Sequence, residues 1–290
     1  MALIPPFFLD CVVAIGFDTP KKTIQYSATG FLYGKFISIE GEHRKYRIFL
    51  VTNKHVFEDS QIAWLRFNPE GNEPAKEFQL SLVDGNMKRI WLAHPNPDID
   101  LAIIGINVRI LKEQNIHFSF FKSDEHIISR AQALELGVSE GDGIFVLGFP
   151  MGIIGEKRNF VIVRQGCIAR IGDTLSGNSN EFLIDTSIFP GNSGGPVVSR
   201  PEIVSIQGTN VLSKAYLLGV VAGYVPYRDV AVSAQTQQTR IIFEENSGLA
   251  TVVPIDFLVE IVDVAIAESE IGKQGPPIET AASTTKQPDT

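Results

Sequence analysis

Phe189-Pro190-Gly191-Asn192-Ser193-Gly194-Gly195-Pro196 sets one serine among glycines and runs on into the apolar pair Val197-Val198. A serine that is to act as a nucleophile needs an exposed hydroxyl, with backbone N–H groups converging on a point beside it. Glycines permit the partly left-handed backbone that turns N–H groups inward. The same residue types also build ordinary turns, so the stretch acquires meaning only with its partners.

Two upstream segments supply them. Arg47-Ile48-Phe49-Leu50-Val51-Thr52-Asn53-Lys54-His55-Val56 reads as a buried apolar strand with a histidine at its exit. His94-Pro95-Asn96-Pro97-Asp98-Ile99-Asp100-Leu101-Ala102-Ile103-Ile104 is a polar, Pro-containing loop that delivers an aspartate to the start of an apolar strand. The chain order is histidine, aspartate, serine, unlike the orders of α/β-hydrolases or subtilisins.

Taken together, the three segments resemble trypsin/chymotrypsin-like serine peptidases, nearest in motif to the bacterial HtrA/Deg-type protease domain. In that family the aspartate directly precedes a Leu/Ile-Ala-apolar strand, which selects Asp100; Asp98 is left as a turn former. The resemblance implies a triad of His55, Asp100 and Ser193. Ser193 needs an adjacent base to become nucleophilic, and His55 can take and return a proton near neutral pH. Asp100 would fix the tautomer of His55 and stabilise its imidazolium. The loop Gly191, Asn192 and Ser193 would form the oxyanion hole, with Gly191 and Ser193 giving the N–H donors. By family position, Ser187, six residues before Ser193, lies at the base of the specificity pocket, flanked by Ala222 and Tyr224. With no carboxylate there to pair a buried cation, small or medium aliphatic side chains are expected before the scissile bond. Asn192 carries no charge to recruit a freed N-terminal amine, so no activating cleavage is expected. Order in the loop is left to loop contacts or to a regulatory protein partner.

The resemblance covers roughly residues 10–268. It implies an all-β protein of two six-stranded antiparallel β-barrels, chymotrypsin-like, with a C-terminal helix. Residues 1–125 would form the first barrel, carrying His55 and Asp100. Residues 126–270 would form the second barrel, with the nucleophile loop and terminal helix. Residues 271–290 are polar and Pro- and Thr-containing, and read as a disordered tail. Too few residues remain for a PDZ domain. Alternating apolar runs bounded by turn residues fit this plan. Residues 126–136 read as a helix stopped by Gly137, and Pro254 opens an amphipathic pattern carrying Ile255, Leu258, Ile261, Val262 and Ala265 on one face. Residues 199–216 and 225–246 are longer than the family's usual connections.

Composition narrows the function classes. The chain has 290 residues, 44% of them hydrophobic, enough for a sizeable core. A formal net charge of −8 argues against a nucleic-acid partner. The apolar N-terminus lacks a basic region and is interrupted by Pro5-Pro6, so it does not read as a signal peptide. Apolar runs are too short for a membrane span. Cys11 and Cys167 are the only cysteines, a scarcity that suits a reducing compartment, and a cytoplasmic location is expected. No metal-ligand spacing is present, and no cofactor is expected.

The expected activity is a serine endopeptidase acting on a peptide or protein substrate. Two other readings stay open at this point: a catalytically silent fold serving as a peptide-binding module, and a self-processing protease. Oligomeric state is not legible in the sequence.

Overall fold

The computed structural model of the chain describes residues 3–202, 212–271 and 279–280. A short 3-10 helix, Pro6–Cys11, leads into β1 (Val12–Asp18), β2 (Ile24–Glu40) and β3 (His43–Thr52), which ends at the one-turn helix α1 (Lys54–Phe57). Next come β4 (Ile62–Phe67), β5 (Lys76–Ser81), β6 (Leu92–Ala93) and β7 (Ala102–Gly105), then α2 (Val108–Glu113) and β8 (Phe121–Lys122). The second half holds α3 (Arg130–Leu136), β9 (Gly143–Gly148), β10 (Ile162–Arg170), α4 (Gly172–Leu175), β11 (Phe182–Asp185) and β12 (Pro196–Ser199). It continues with β13 (Leu217–Val232), β14 (Thr239–Pro254), α5 (Ile255–Ile271) and β15 (Glu279–Thr280).

The second half closes as expected. Its barrel runs β10-β11-β14-β13-β12-β9 and returns to β10, six strands in all. In the first half a second closed six-stranded barrel is not confirmed. The strands of this half form a nine-stranded sheet ordered β15-β5-β4-β1-β2-β3-β7-β6, with β8 pairing β2. Between β5 and β6 the chain forms an isolated bridge of Val83 with Arg89, with bonds from Ile90 N–H to the Leu82 carbonyl, 3.1 Å, and from Asp84 N–H to the Lys88 carbonyl, 2.8 Å. Asp84 Oδ1 accepts from Asn86 N–H and Lys88 N–H and holds a tight turn there. β6 is two residues long and is followed by Pro95 and Pro97, neither of which can donate to a ladder.

Period-2 alternation explains why several strands are apolar on both faces. In β1, Val13 and Ile15 face the core of the first lobe, while Val12 and Ala14 face a core shared by both lobes. Leu50 and Val51 divide in the same way on β3. On the other side, Ile144 and Val146 of β9 fill the barrel interior, while Phe145 and Leu147 join the shared core. The face of α5 read from sequence, Ile255, Leu258, Ile261, Val262 and Ala265, closes that shared core. Polar contacts also join the halves: Arg66 on β4 donates to Asn159 Oδ1 at 2.8 Å, and Asn159 Nδ2 returns a bond to the Arg66 carbonyl at 2.6 Å.

Some boundaries differ from the sequence reading. The helix expected over residues 126–136 starts at Arg130, because Ser129 caps it in a capping box with Gln132. Residues 127 and 217 instead form a bridge. Residues 225–246 are no loose connection: β13 and β14 continue past the barrel as a two-stranded ribbon paired as far as Val232 with Thr239. The long connection 199–216 falls partly outside the described residues, as does most of the expected tail, where Glu279–Thr280 pairs antiparallel with β5. Cys11 and Cys167 are both free thiols.

Candidate active site

His55 reaches the inter-lobe cleft because β3 stops at Thr52 and the chain turns at once into α1. Thr52 and Asn53 are fully buried there. Asn53 Nδ2 donates to the backbone carbonyl of Asp100 at 2.8 Å, tying the histidine turn to the aspartate loop. Both carboxylate oxygens of Asp100 then meet His55. Oδ2 lies 2.6 Å from Nδ1, and Oδ1 accepts the His55 backbone N–H at 3.1 Å. Burial works to raise the Asp100 carboxyl. The hydrogen bond and charge of His55, with the backbone N–H groups of His55 and Lys54, outweigh it and hold the carboxyl below its usual range. Asp98 is exposed, and its own N–H closes a turn onto Asn96 Oδ1 at 3.0 Å. Of the two carboxylates, Asp100 is the one that engages the histidine.

Ser193 comes from the other lobe, on the loop between β11 and β12. Gly191 (φ +99°) and Gly194 (φ +81°) take the left-handed backbone. A Cβ on Gly191 would lie 2.5 Å from the Phe149 carbonyl oxygen, so the loop is folded against the turn that follows β9. The Pro190 carbonyl accepts Met151 N–H at 2.6 Å, and Gly194 N–H donates to the Val221 carbonyl at 3.0 Å. Among the described residues, neither Gly191 N–H nor Ser193 N–H meets an acceptor. Asn192 differs from the expectation that it belongs to the hole. Its N–H donates to the Phe189 carbonyl at 3.0 Å, and its side chain is buried with Nδ2 lacking a partner. That site would leave a charged residue desolvated and unpaired.

His55, Gly191 and Ser193 line one cleft of about 340 Å³, together with Phe17, Ser27, Ala28, Val56, Asp59, Ser60 and Pro190. Ser187, Ala222 and Tyr224, assigned to a specificity pocket, are not among the residues lining this cleft. Ser187 is exposed, Ala222 and Tyr224 are half-buried, and the Tyr224 hydroxyl donates to Glu244 at 2.8 Å. Sequence reading missed Thr29. It is fully buried on β2 and bonds to the nucleophile loop through both its backbone and its hydroxyl. A threonine inside an apolar strand gives no signal of such a role.

A model of the trypsin-like peptidase domain family matches residues 28–202, a span holding His55, Asp100 and Ser193. The chain belongs to the trypsin-like peptidase domain family. It is similar to a probable periplasmic serine endoprotease, DegP-like, of Chlamydia pneumoniae, with 24% identity over 204 residues, covering 70% of this chain and 33% of that protein. It is also similar to a serine protease DegP homolog of Plasmodium falciparum (isolate 3D7), with 31% identity over 125 residues, 41% of this chain and 12% of that one. The chain thus spans a third or less of the length of these relatives. Among solved structures, the MamO protease domain of Magnetospirillum magneticum in its apo form aligns over 88% of this chain and 97% of that one, at 15% identity and a TM-score of 0.46. Members of the trypsin-like peptidase domain family act on peptide or protein substrates.

Proposed function

We propose that this trypsin-like peptidase domain is an active serine endopeptidase, with Ser193 as nucleophile, His55 as general base and Asp100 as the group that orients it. The observation that carries the reading is the 2.6 Å contact of Asp100 with His55 Nδ1, made at a cleft that His55 shares with Ser193. With Nδ1 engaged, the other ring nitrogen is the one left to take the Ser193 proton.

Ser193 Oγ attacks the scissile carbonyl as His55 removes its proton. The resulting oxyanion is stabilised by the unengaged Gly191 and Ser193 N–H groups, each such donor typically contributing about 2.7–4 kcal/mol. His55 then protonates the leaving amine. A water activated by the same histidine hydrolyses the acyl-enzyme.

The test is fluorophosphonate labelling and peptide-library hydrolysis, with Ser193→Ala as control. Labelling of the parent and its loss in the variant, with hydrolysis reduced on the order of 10⁶-fold, are the expected results. A folded parent that neither labels nor cleaves would identify a silent peptide-binding domain. Cleavage confined to its own chain would identify a self-processing protease. Two unpaired cysteines support a reducing compartment, and we place the protein in the cytoplasm. The Chlamydia relative is named as periplasmic, and cell fractionation decides between the two for this chain.

A further inference from the structure

Arg164 on β10 pairs with Val146 on β9. Residues opposite one another in an antiparallel pair share a face, and Val146 belongs to the interior of the closed barrel. β11 accompanies β10 only as far as Asp185 with Cys167. Arg164 lies beyond that last pair, so it sits on the inner face of the barrel at its mouth. Its guanidinium carbon stands 5.1 Å from the centroid of the Phe189 ring, over the stretch that leads to Ser193.

This cation lacks a counter-ion. Its Nε is buried without a hydrogen-bond partner, while the residue as a whole stays half-buried. Among the described residues, no carboxylate pairs with it. Asp185 is opposite Cys167 and so shares the other face of the strand. Tyr224 packs against the same barrel interior, but its neighbour Glu244 is already taken, by the Tyr224 hydroxyl at 2.8 Å and Arg228 Nε at 2.9 Å. An unpaired donor in such a place favours an anion. A guanidinium held over an aromatic ring keeps its planar fork for a carboxylate.

We propose that Arg164 recognises the side chain immediately before the scissile bond and makes the active site prefer glutamate or aspartate there. The proposal rests on the serine endopeptidase reading above. Pro190 and Gly191 line the cleft with His55 and Ser193, and Arg164 does not. With the attacked carbonyl on the Gly191 and Ser193 N–H groups, the side chains on either side of the scissile bond diverge. One side is the cleft that holds Asp59. The other runs along residues 187–189, where family position puts the specificity pocket and where Arg164 covers Phe189. Ser187 brings no carboxylate that would repel an acidic side chain. An acidic preference therefore replaces the aliphatic one expected from Ser187 alone.

The experiment measures kcat/KM on peptides alike except for Glu, Gln, Leu or Lys before the scissile bond, with fluorophosphonate labelling as the check on the nucleophile. The parent should cleave the glutamate peptide about tenfold or more better than the glutamine peptide. Arg164→Gln should abolish that preference, Arg164→Lys should keep part of it, and Arg164→Glu should turn it toward lysine. A parent that labels but treats glutamate and glutamine alike would overturn the proposal and leave the endopeptidase reading intact. So would an Arg164→Gln variant that loses the same factor on all four peptides, which would make Arg164 only a prop for Phe189. A second measurement does not depend on turnover: calorimetric binding, by full-chain Ser193→Ala, of product peptides ending in Glu or Gln. Tighter binding of the glutamate peptide, lost when Arg164→Gln is added, supports the assignment even if the parent fails to label, a failure that sinks the endopeptidase reading instead. Equal binding of the two peptides overturns the assignment.

Discussion

The hydroxyl of Thr29 donates to the Gly191 carbonyl at 2.6 Å and accepts the Phe149 N–H at 3.0 Å. The Thr29 N–H donates in turn to the Ser193 carbonyl at 3.0 Å, and its carbonyl accepts the hydroxyl of Thr52 at 2.8 Å. One buried residue of the first lobe therefore fixes the loop that carries the candidate nucleophile of the second.

Thr29→Val keeps the shape and removes the hydroxyl, leaving a buried carbonyl and a buried N–H unpaired. Each unpaired group typically costs about 1–3 kcal/mol. The melting temperature should fall, and kcat should drop by up to about 10²-fold as the oxyanion donors lose position. Thr29→Ser should restore most of both. Parent-like kcat in a folded Thr29→Val would mean that the hydroxyl only stabilises the lobe contact.

Asp100→Asn should lower kcat by about 10⁴-fold, because an amide cannot hold His55 in the required tautomer or stabilise its charge. Asp98→Asn should change little, since the Asp98 side chain is exposed. Comparing kcat for the two variants at matched folding checks the choice of carboxylate.

Glu181 has its carboxyl raised above the ordinary range, first by burial and then by the negative charge of Asp100. A raised carboxyl binds its proton more tightly in the folded chain than in the unfolded one. The stability this gives is full below the unfolded value of about 4.3 and is lost as pH rises through the raised folded value. Glu181→Gln should therefore melt at a higher temperature than the parent at neutral pH, and the two curves should converge below about pH 4. Thermal melts across pH measure it; a constant gap between the curves would contradict it.

Asp59 brings a carboxylate to the cleft that His55 and Ser193 line. Peptides that place Lys or Arg in this part of the cleft should be favoured. Asp59→Asn should cut kcat/KM for them by about 2–5-fold, and added salt should shrink the difference. Uncharged peptides serve as the control.

The sequence by itself determined the motifs and where many of the strands lie along the chain. Local chemistry fixes those features. Glycines around Ser193 demand a special loop, an apolar run that stops at His55 puts a histidine at a strand end, and Pro254 with a helical apolar face places α5. Only the tertiary structure decided the rest, because it depends on residues far apart in the chain. Thr29 meets Gly191 across 162 positions, and nothing near Thr29 announces that contact. How the first sheet's two ends approach each other, through the turn at Asp84 and a two-residue β6, is likewise a tertiary matter. The 225–246 segment read as a connection because its apolar residues had no visible core to face. In the fold it is a paired ribbon that remains exposed, since cross-strand register is set by a partner strand rather than by composition.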